Sequence, residues 1–175
     1  FLSRFPIVTH ENMDISAHAF ESRGLLHCEV KLGPRRPALH CLNVHLGLFE
    51  RGRQWQIRAL CERIRDTVPR DAPLIIAGDF NDWRHKANRV LTDTLGVEEV
   101  FEAVRGRPAR TFPSVMPVFR LDRIYARGLR IVEAHVHYAY PGARLSDHAA
   151  LAAACGTRPR PRGSATSRGA ASRRS

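Results

Sequence analysis

The sequence has little of what would commit it to a specialised architecture. Its four cysteines, Cys28, Cys41, Cys61 and Cys155, contain no Cys-x-x-Cys pair, which argues against a zinc ribbon or dithiol redox motif. Three of them sit inside apolar patterns, as reduced packing thiols do, and this points to a reducing, cytoplasmic compartment. No apolar run reaches the length of a membrane-spanning helix, and no internal period marks a repeat array. Aromatic residues make up only 7% of the chain. Trp55 and Trp83 belong to no aromatic series, so they read as core or helix-anchoring groups rather than base-stacking platforms. Residues 157–175 hold no acidic side chain, only Arg, Ser, Ala, Gly, Pro and Thr without period, a composition that cannot bury a core.

What remains is ample for one domain: 175 residues, 43% of them hydrophobic. The formal charge of +11 is unevenly divided. Arg158, Arg160, Arg162, Arg168, Arg173 and Arg174 supply six of the eleven charges, which leaves about +5 for the body, enough to admit a polyanionic substrate without demanding one. The expected organisation is a domain over 1–155 and a disordered Arg/Ser/Gly/Pro-rich tail over 156–175. Arg-rich tails of this kind can add salt-sensitive affinity for nucleic acid or anionic lipid.

The most informative stretch is PLIIAGDFNDW, residues 73–83. An apolar run over 74–77 suits a strand buried on both faces, and it ends at Gly78 in a cluster of carboxylates and an amide. Asp79 and Asn81 are two residues apart. In an extended chain they share a side, offering a proton acceptor and a neutral hydrogen-bonding group suited to water, metal or phosphate. Upstream, residues 9–22 read as a long polar loop. Residues 25–32 then alternate, with Leu26, Cys28, Val30 and Leu32 on one face and His27, Glu29 and Lys31 on the other. A turn leads to a second strand over 38–46, in which Leu42, Val44 and Leu46 oppose Cys41, Asn43 and His45. A helix opens near Trp55, carries Ile57, Leu60, Cys61, Ile64 and Val68 at helical steps, and stops at Pro69. Asp82 caps a further helix over 83–95, with Ala87, Val90, Leu91 and Leu95 inward and Gly96 as its stop. Strands follow over 119–126, 129–138 and 148–155, with turns at Arg127-Gly128 and Pro141-Gly142.

Two more polar clusters stand out. LDRIY, residues 121–125, puts Asp122 inside a strand-like run, where burial demands a donor. SDH, residues 146–148, delivers Asp147 and His148 to a strand mouth. Together with NVH at 43–45 and GDFND, these clusters and their order resemble the endonuclease/exonuclease/phosphatase superfamily, and within it a bacterial branch carrying RGLLH, NVHLGL, GDFNDWR, ARTFP, LDRIY and SDHA. The resemblance implies a DNase I-like α/β (α+β) fold, a four-layer sandwich of two mixed sheets flanked by helices. It implies Mg²⁺-dependent phosphoesterase activity, with Mn²⁺ a substitute, on a phosphate ester drawn from DNA, RNA, a phospholipid headgroup or a soluble compound. In the roles it implies, Asp79 orients or deprotonates the attacking water and Asn81 holds a phosphate oxygen or the nucleophile. His148, bonded to Asp122, stabilises phosphoryl charge, His45 contacts the phosphate or assists the leaving group, and Asp147 serves the metal. The family's metal-binding glutamate and the asparagine before it have no counterpart here, since Glu11 and Glu21 fall in the polar loop. The expectation is therefore a monomer lacking the N-terminal part of the domain. The alternative is a catalytically inactive fragment that binds nucleic acid or anionic lipid.

Overall fold

Apolar side chains alternating at strand spacing and recurring at helix spacing converge on one sheet. In the computed structural model, which describes residues 1–138 and 145–157, strands β1 (Ile7–Asp14), β2 (Gly24–Val30), β3 (Leu39–His45), β4 (Leu74–Asp79), β5 (Glu98–Glu99) and β6 (Asp122–Arg127) form a six-stranded sheet in the order β1-β2-β3-β4-β6-β5. Strands β7 (Leu129–His137) and β8 (Ala150–Thr157) pair antiparallel in a second sheet. Helices α1 (Glu50–Thr67), α2 (Lys86–Leu95) and α3 (Val100–Arg105) complete a mixed α+β architecture with two sheets. The turn expected at Pro141-Gly142 and residues 158–175 of the tail lie outside the described residues.

Strands β3 and β4 run parallel, which requires a crossover, and α1 provides it. Leu42, Val44 and Leu46 on one side of β3, with Leu74 and Ile76 of β4, pack under Ile57, Leu60, Cys61 and Ile64 of α1 and Ala87, Leu91 and Leu95 of α2. Each of the leucine, isoleucine and valine side chains among them contributes roughly 1.5–3 kcal/mol by leaving water. A second cluster joins Val100 and Phe101 of α3 to Ala126 of β6 and Ala134 of β7, with Ile124, Ile131, Val136 and Leu151 against it. It seats the small sheet beside β6.

Several boundaries differ from those the pattern suggests. Residues 9–14, expected as loop, belong to the edge strand β1. Nearly every side chain of β1 is exposed, so it is held by backbone pairing to β2 and carries no apolar alternation. His27 is buried under α1 instead of facing solvent, beside His40, and only β4's Leu74 and Ile76 are fully buried while Ile75 and Ala77 are half-buried. Helix α1 starts at Glu50 rather than at Trp55, because buried polar groups extend it: Arg53 donates to the carbonyls of Gly47 and Leu48 and pairs with Glu50, while Gln56 accepts from the Gly47 amide and donates to Glu21. Trp55 itself is exposed. Helix α2 starts three residues after Trp83, and Asp82 still serves its first turn, accepting from the Ala87 amide at 2.7 Å, while Val90 faces solvent. Strand β6 begins at Asp122, β8 runs to Thr157 and so enters the segment expected as tail, and the short β5 and α3 carry too little pattern to be anticipated.

Candidate active site

Register brings the polar clusters together. His45, the last residue of β3, lies opposite Asp79, the last residue of β4, and Asp79 lies opposite Asp122, the first residue of β6. Directly opposed residues share a face, so three separate motifs form one polar row across adjacent strands. His45 Nε2 is 3.6 Å from Asp79 Oδ2, and its ring is largely open to solvent. On the far side His148 Nδ1 donates to Asp122 Oδ2 at 2.7 Å. His148 lies just before β8, where the chain is still turning, so it reaches a row that a regular strand position would have missed.

Gly78 makes the approach of β3 and β4 possible. Its φ is +143°, and an added Cβ would lie 1.9 Å from the Val44 carbonyl oxygen. Immediately after Asp79 the chain bends, with Asn81 at φ +47° and only 3% exposed. Asn tolerates this left-handed conformation better than most residues, and a non-glycine held there in a buried site marks a position that the surrounding contacts determine. Those contacts are explicit. The Asn81 amide donates to Asp79 Oδ1 at 2.9 Å, and its Nδ2 donates to the Leu46 carbonyl at 2.9 Å and to Asp79 Oδ2 at 3.3 Å. Both side-chain hydrogens are thus committed, which leaves the amide oxygen as the group offered to a ligand.

The environment separates the acid–base properties of the row. Burial pushes the Asp79 carboxyl above the usual range and the Asp122 charge adds to this, opposed by the Asn81 amide, His148 and His45. Burial alone would lower His148, but its hydrogen bond to Asp122 and the charges of Asp122, Asp79 and Asp147 outweigh it and hold the imidazole above its ordinary value. The result is a carboxylate with raised proton affinity facing an imidazole that stays cationic to higher pH. Asp147 is exposed beside His148, and its backbone carbonyl accepts from the Ser114 amide at 2.7 Å.

A divalent cation can be judged against this donor set. The adjacent oxygens of Asp79 and Asn81 are hard ligands of the kind Mg²⁺ takes, one or two at a time, while keeping water and accepting phosphate oxygens from a substrate, and the exposed Asp147 carboxylate, whose charge reaches His148, is a third oxygen group of that kind. Among the described residues no three His, Cys, Asp or Glu side chains converge into a cage, so the fit is to a partly hydrated ion and not to an all-protein site.

The loop carrying ARTFP has roles that its Gly, Pro and Arg content concealed. Thr111 is fully buried; its amide donates to the Phe119 carbonyl and its own carbonyl accepts from Ala149 at 2.7 Å, while Ser114 Oγ donates to the Ser146 carbonyl. These bonds tie the His148 loop to the 111–119 loop. Phe112 lies 4.9 Å from the His148 ring and 6.4 Å from Phe119, which meets Trp83 edge-on at 4.7 Å. Trp83 is 45% exposed. It therefore belongs to an aromatic series that leads to His148, contrary to its expected place as an isolated anchor, because the partners lie some thirty residues away in sequence.

The sequence profile of the Endonuclease/Exonuclease/phosphatase family matches residues 1–148. The chain belongs to this family. The uncharacterized protein YbhP of Escherichia coli (strain K12) is 44% identical over 155 residues, covering 87% of this chain and 60% of YbhP; the chain thus spans less than two thirds of that relative's length. Among solved structures, humanized D. rerio TDP2 superposes with a TM-score of 0.72 at 22% identity, covering 88% of this chain and 68% of TDP2. The mannosyl-6-phosphatase Bt3783 of Bacteroides thetaiotaomicron VPI-5482 superposes with a TM-score of 0.71 at 18% identity, covering 86% and 67% of the two chains. At such identities these neighbours show the fold, and they agree with the DNase I-like architecture read from the motifs. Family membership places the chain in a superfamily whose members are hydrolases acting on phosphate esters.

Proposed function

We propose that this endonuclease/exonuclease/phosphatase family chain carries the active site of a phosphodiesterase that works with Mg²⁺ or Mn²⁺. The observation that supports it most directly is the in-register row of His45, Asp79 and Asp122 closed by the 2.7 Å bond from His148 to Asp122. Hydrolysis of a phosphodiester forms a bond from water oxygen to phosphorus and breaks the ester P–O bond, and the barrier falls mainly through positioning and neutralisation of charge. Asp79, with raised proton affinity and a conformation fixed by Asn81, orients the water and takes its proton. The Asn81 amide oxygen accepts the water's second hydrogen. This refines the expected role, since its N–H groups are spent on Leu46 and Asp79 and are not free for a phosphate oxygen. His148, cationic and tethered through Nδ1, leaves Nε2–H to donate to a non-bridging phosphoryl oxygen. His45, exposed beside Asp79, protonates the departing oxygen. Asp147 and Asp79 would hold the divalent ion, which when bound withdraws charge from the phosphoryl oxygens. The mannosyl-6-phosphatase and the D. rerio TDP2 complex with single strand DNA product among the structural neighbours support a phosphate-ester substrate.

The test uses Asp79→Ala and His148→Ala with bis(p-nitrophenyl) phosphate in Mg²⁺. Each substitution lowers turnover by about a hundredfold or more while near-ultraviolet circular dichroism is retained. Near-normal turnover in both variants, or parent turnover unaffected by EDTA, overturns the assignment.

A further inference from the structure

A second concave site stands on the other side of the 107–120 loop. Arg105 at the end of α3, Arg107, Arg110, Arg120 and Tyr138 line a cleft of about 440 Å³ floored by Phe101. Four arginines line it, no carboxylate does, and none of the four is ion-paired among the described residues. Arg105 is braced by donation to the Ala134 carbonyl at 2.5 Å and by its position 6.0 Å over the Phe101 ring. Arg120 keeps its Nε buried without a hydrogen-bond partner among the described residues. A body of only about +5 does not place four cations in one concavity merely to stay soluble.

The cleft is joined to the candidate active site by the chain itself. The strands of the loop pair through Phe112 and Phe119. Next to those aromatics, which border His148 and Trp83, the same two segments carry Arg110 and Arg120 into the cleft. Guanidiniums that follow a backbone, alongside exposed aromatic rings on which bases can lie, are the two elements of single-strand recognition. A flat membrane surface would instead call for cations spread over a convex face. We propose that the Arg105, Arg107, Arg110 and Arg120 cleft anchors the phosphate backbone of a single-stranded nucleic acid as it leaves the His148 site. The location beside a reacting phosphate rests on the phosphodiesterase proposal, whereas the binding does not.

The experiment is anisotropy of a fluorescein-labelled single-stranded oligodeoxynucleotide with the full chain, in EDTA so that no turnover intervenes, across a range of salt. Arg107→Ala/Arg110→Ala alters two exposed side chains. It weakens binding about tenfold at low salt and flattens the slope of log Kd against log salt by about 1.4, two phosphate contacts' worth. Arg51→Ala/Arg58→Ala removes the same charge from exposed positions of α1 and has a much smaller effect. Equal losses in the two pairs, or none in the first, overturn the proposal. So does loss of binding to phosphatidylserine vesicles in the first pair with oligonucleotide binding retained, which would assign the cleft to a lipid surface. A chain that fails to hydrolyse phosphodiesters but shows the pair-specific loss would refute the catalytic proposal and leave this one standing.

Discussion

Gly78 is the residue whose replacement has the most calculable consequence. Its neighbours Asp79 and Asn81 carry the chemistry, but a methyl group at position 78 has no room, lying 1.9 Å from the Val44 carbonyl oxygen with φ at +143°. Gly78→Ala must part β3 from β4 at the point where His45 faces Asp79. A loss of at least about 3 kcal/mol in urea unfolding is expected, and a loss below about 1 kcal/mol would mean that the strands separate at little cost. Asp122 is tested by charge. Because His148 is held above its ordinary pKa, the pair stabilises the fold fully below the unfolded value of about 6.5, and that contribution is lost as pH rises through the folded pKa. Asp122→Asn removes the anion while burial remains, so the His148 pKa falls and the variant loses more stability at pH 5 than at pH 8. Titration of the His148 Hε1 resonance gives the direction, and an unmoved pKa would mean that Asp79 and Asp147 alone sustain it.

At the scale of elements, the pairing of β2 with β3 contains an opposite titration. His27 Nε2 and His40 Nδ1 are 3.0 Å apart, both rings about 5% exposed beneath α1. Burial lowers both, with His40 and Arg63 of α1 adding to His27 and Arg127 of β6 to His40, against Glu11 of β1 and Glu29 of β2. Groups depressed in this way stabilise the fold above pH 6.5, and the stability is lost as acidification forces protons onto them. The melting temperature is therefore expected to fall from pH 7 to pH 5, and His27→Phe/His40→Phe to flatten that acid limb. An unchanged limb would place the acid sensitivity elsewhere. These histidines also show where sequence reading stops. Strand β3 and helix α1 were legible because each carries an apolar period with one face buried, and β4 because an unbroken apolar run leads to Gly78, although only alternate side chains of that run are fully buried. Strand β1 was not, since its side chains are almost all exposed, and the start of α1 was not, since Arg53 and Gln56 are buried by hydrogen bonding that no hydropathy pattern carries.

For the whole molecule, the fold class was legible in the order of the motifs, and the candidate site in their placement along the chain. Asp79, Asn81, Asp122, His148 and His45 each sit at a strand end or in the turn beyond it, and short motifs mark such positions; the three-strand register that assembles them, and the Phe112, Phe119 and Trp83 series beside them, are long-range contacts that local pattern does not encode. Charge follows the same division. Six arginines lie in 158–175, after β8 has closed its ladder with Thr157 opposite Leu129. Nothing in that composition can add an apolar core, so its removal should leave folding to the two clusters already formed. Deleting 158–175 is expected to leave the melting temperature unchanged within about 2 °C, at most about 0.5–1 kcal/mol for a body of this size. The same deletion lowers oligonucleotide affinity at low salt through a purely electrostatic increment. That increment should be the same in the parent and in Arg107→Ala/Arg110→Ala, because distant charges contribute independently of the cleft. A melting temperature several degrees lower would show that the basic segment packs on the body. An increment that vanishes in the cleft variant would show that both grip the same length of strand.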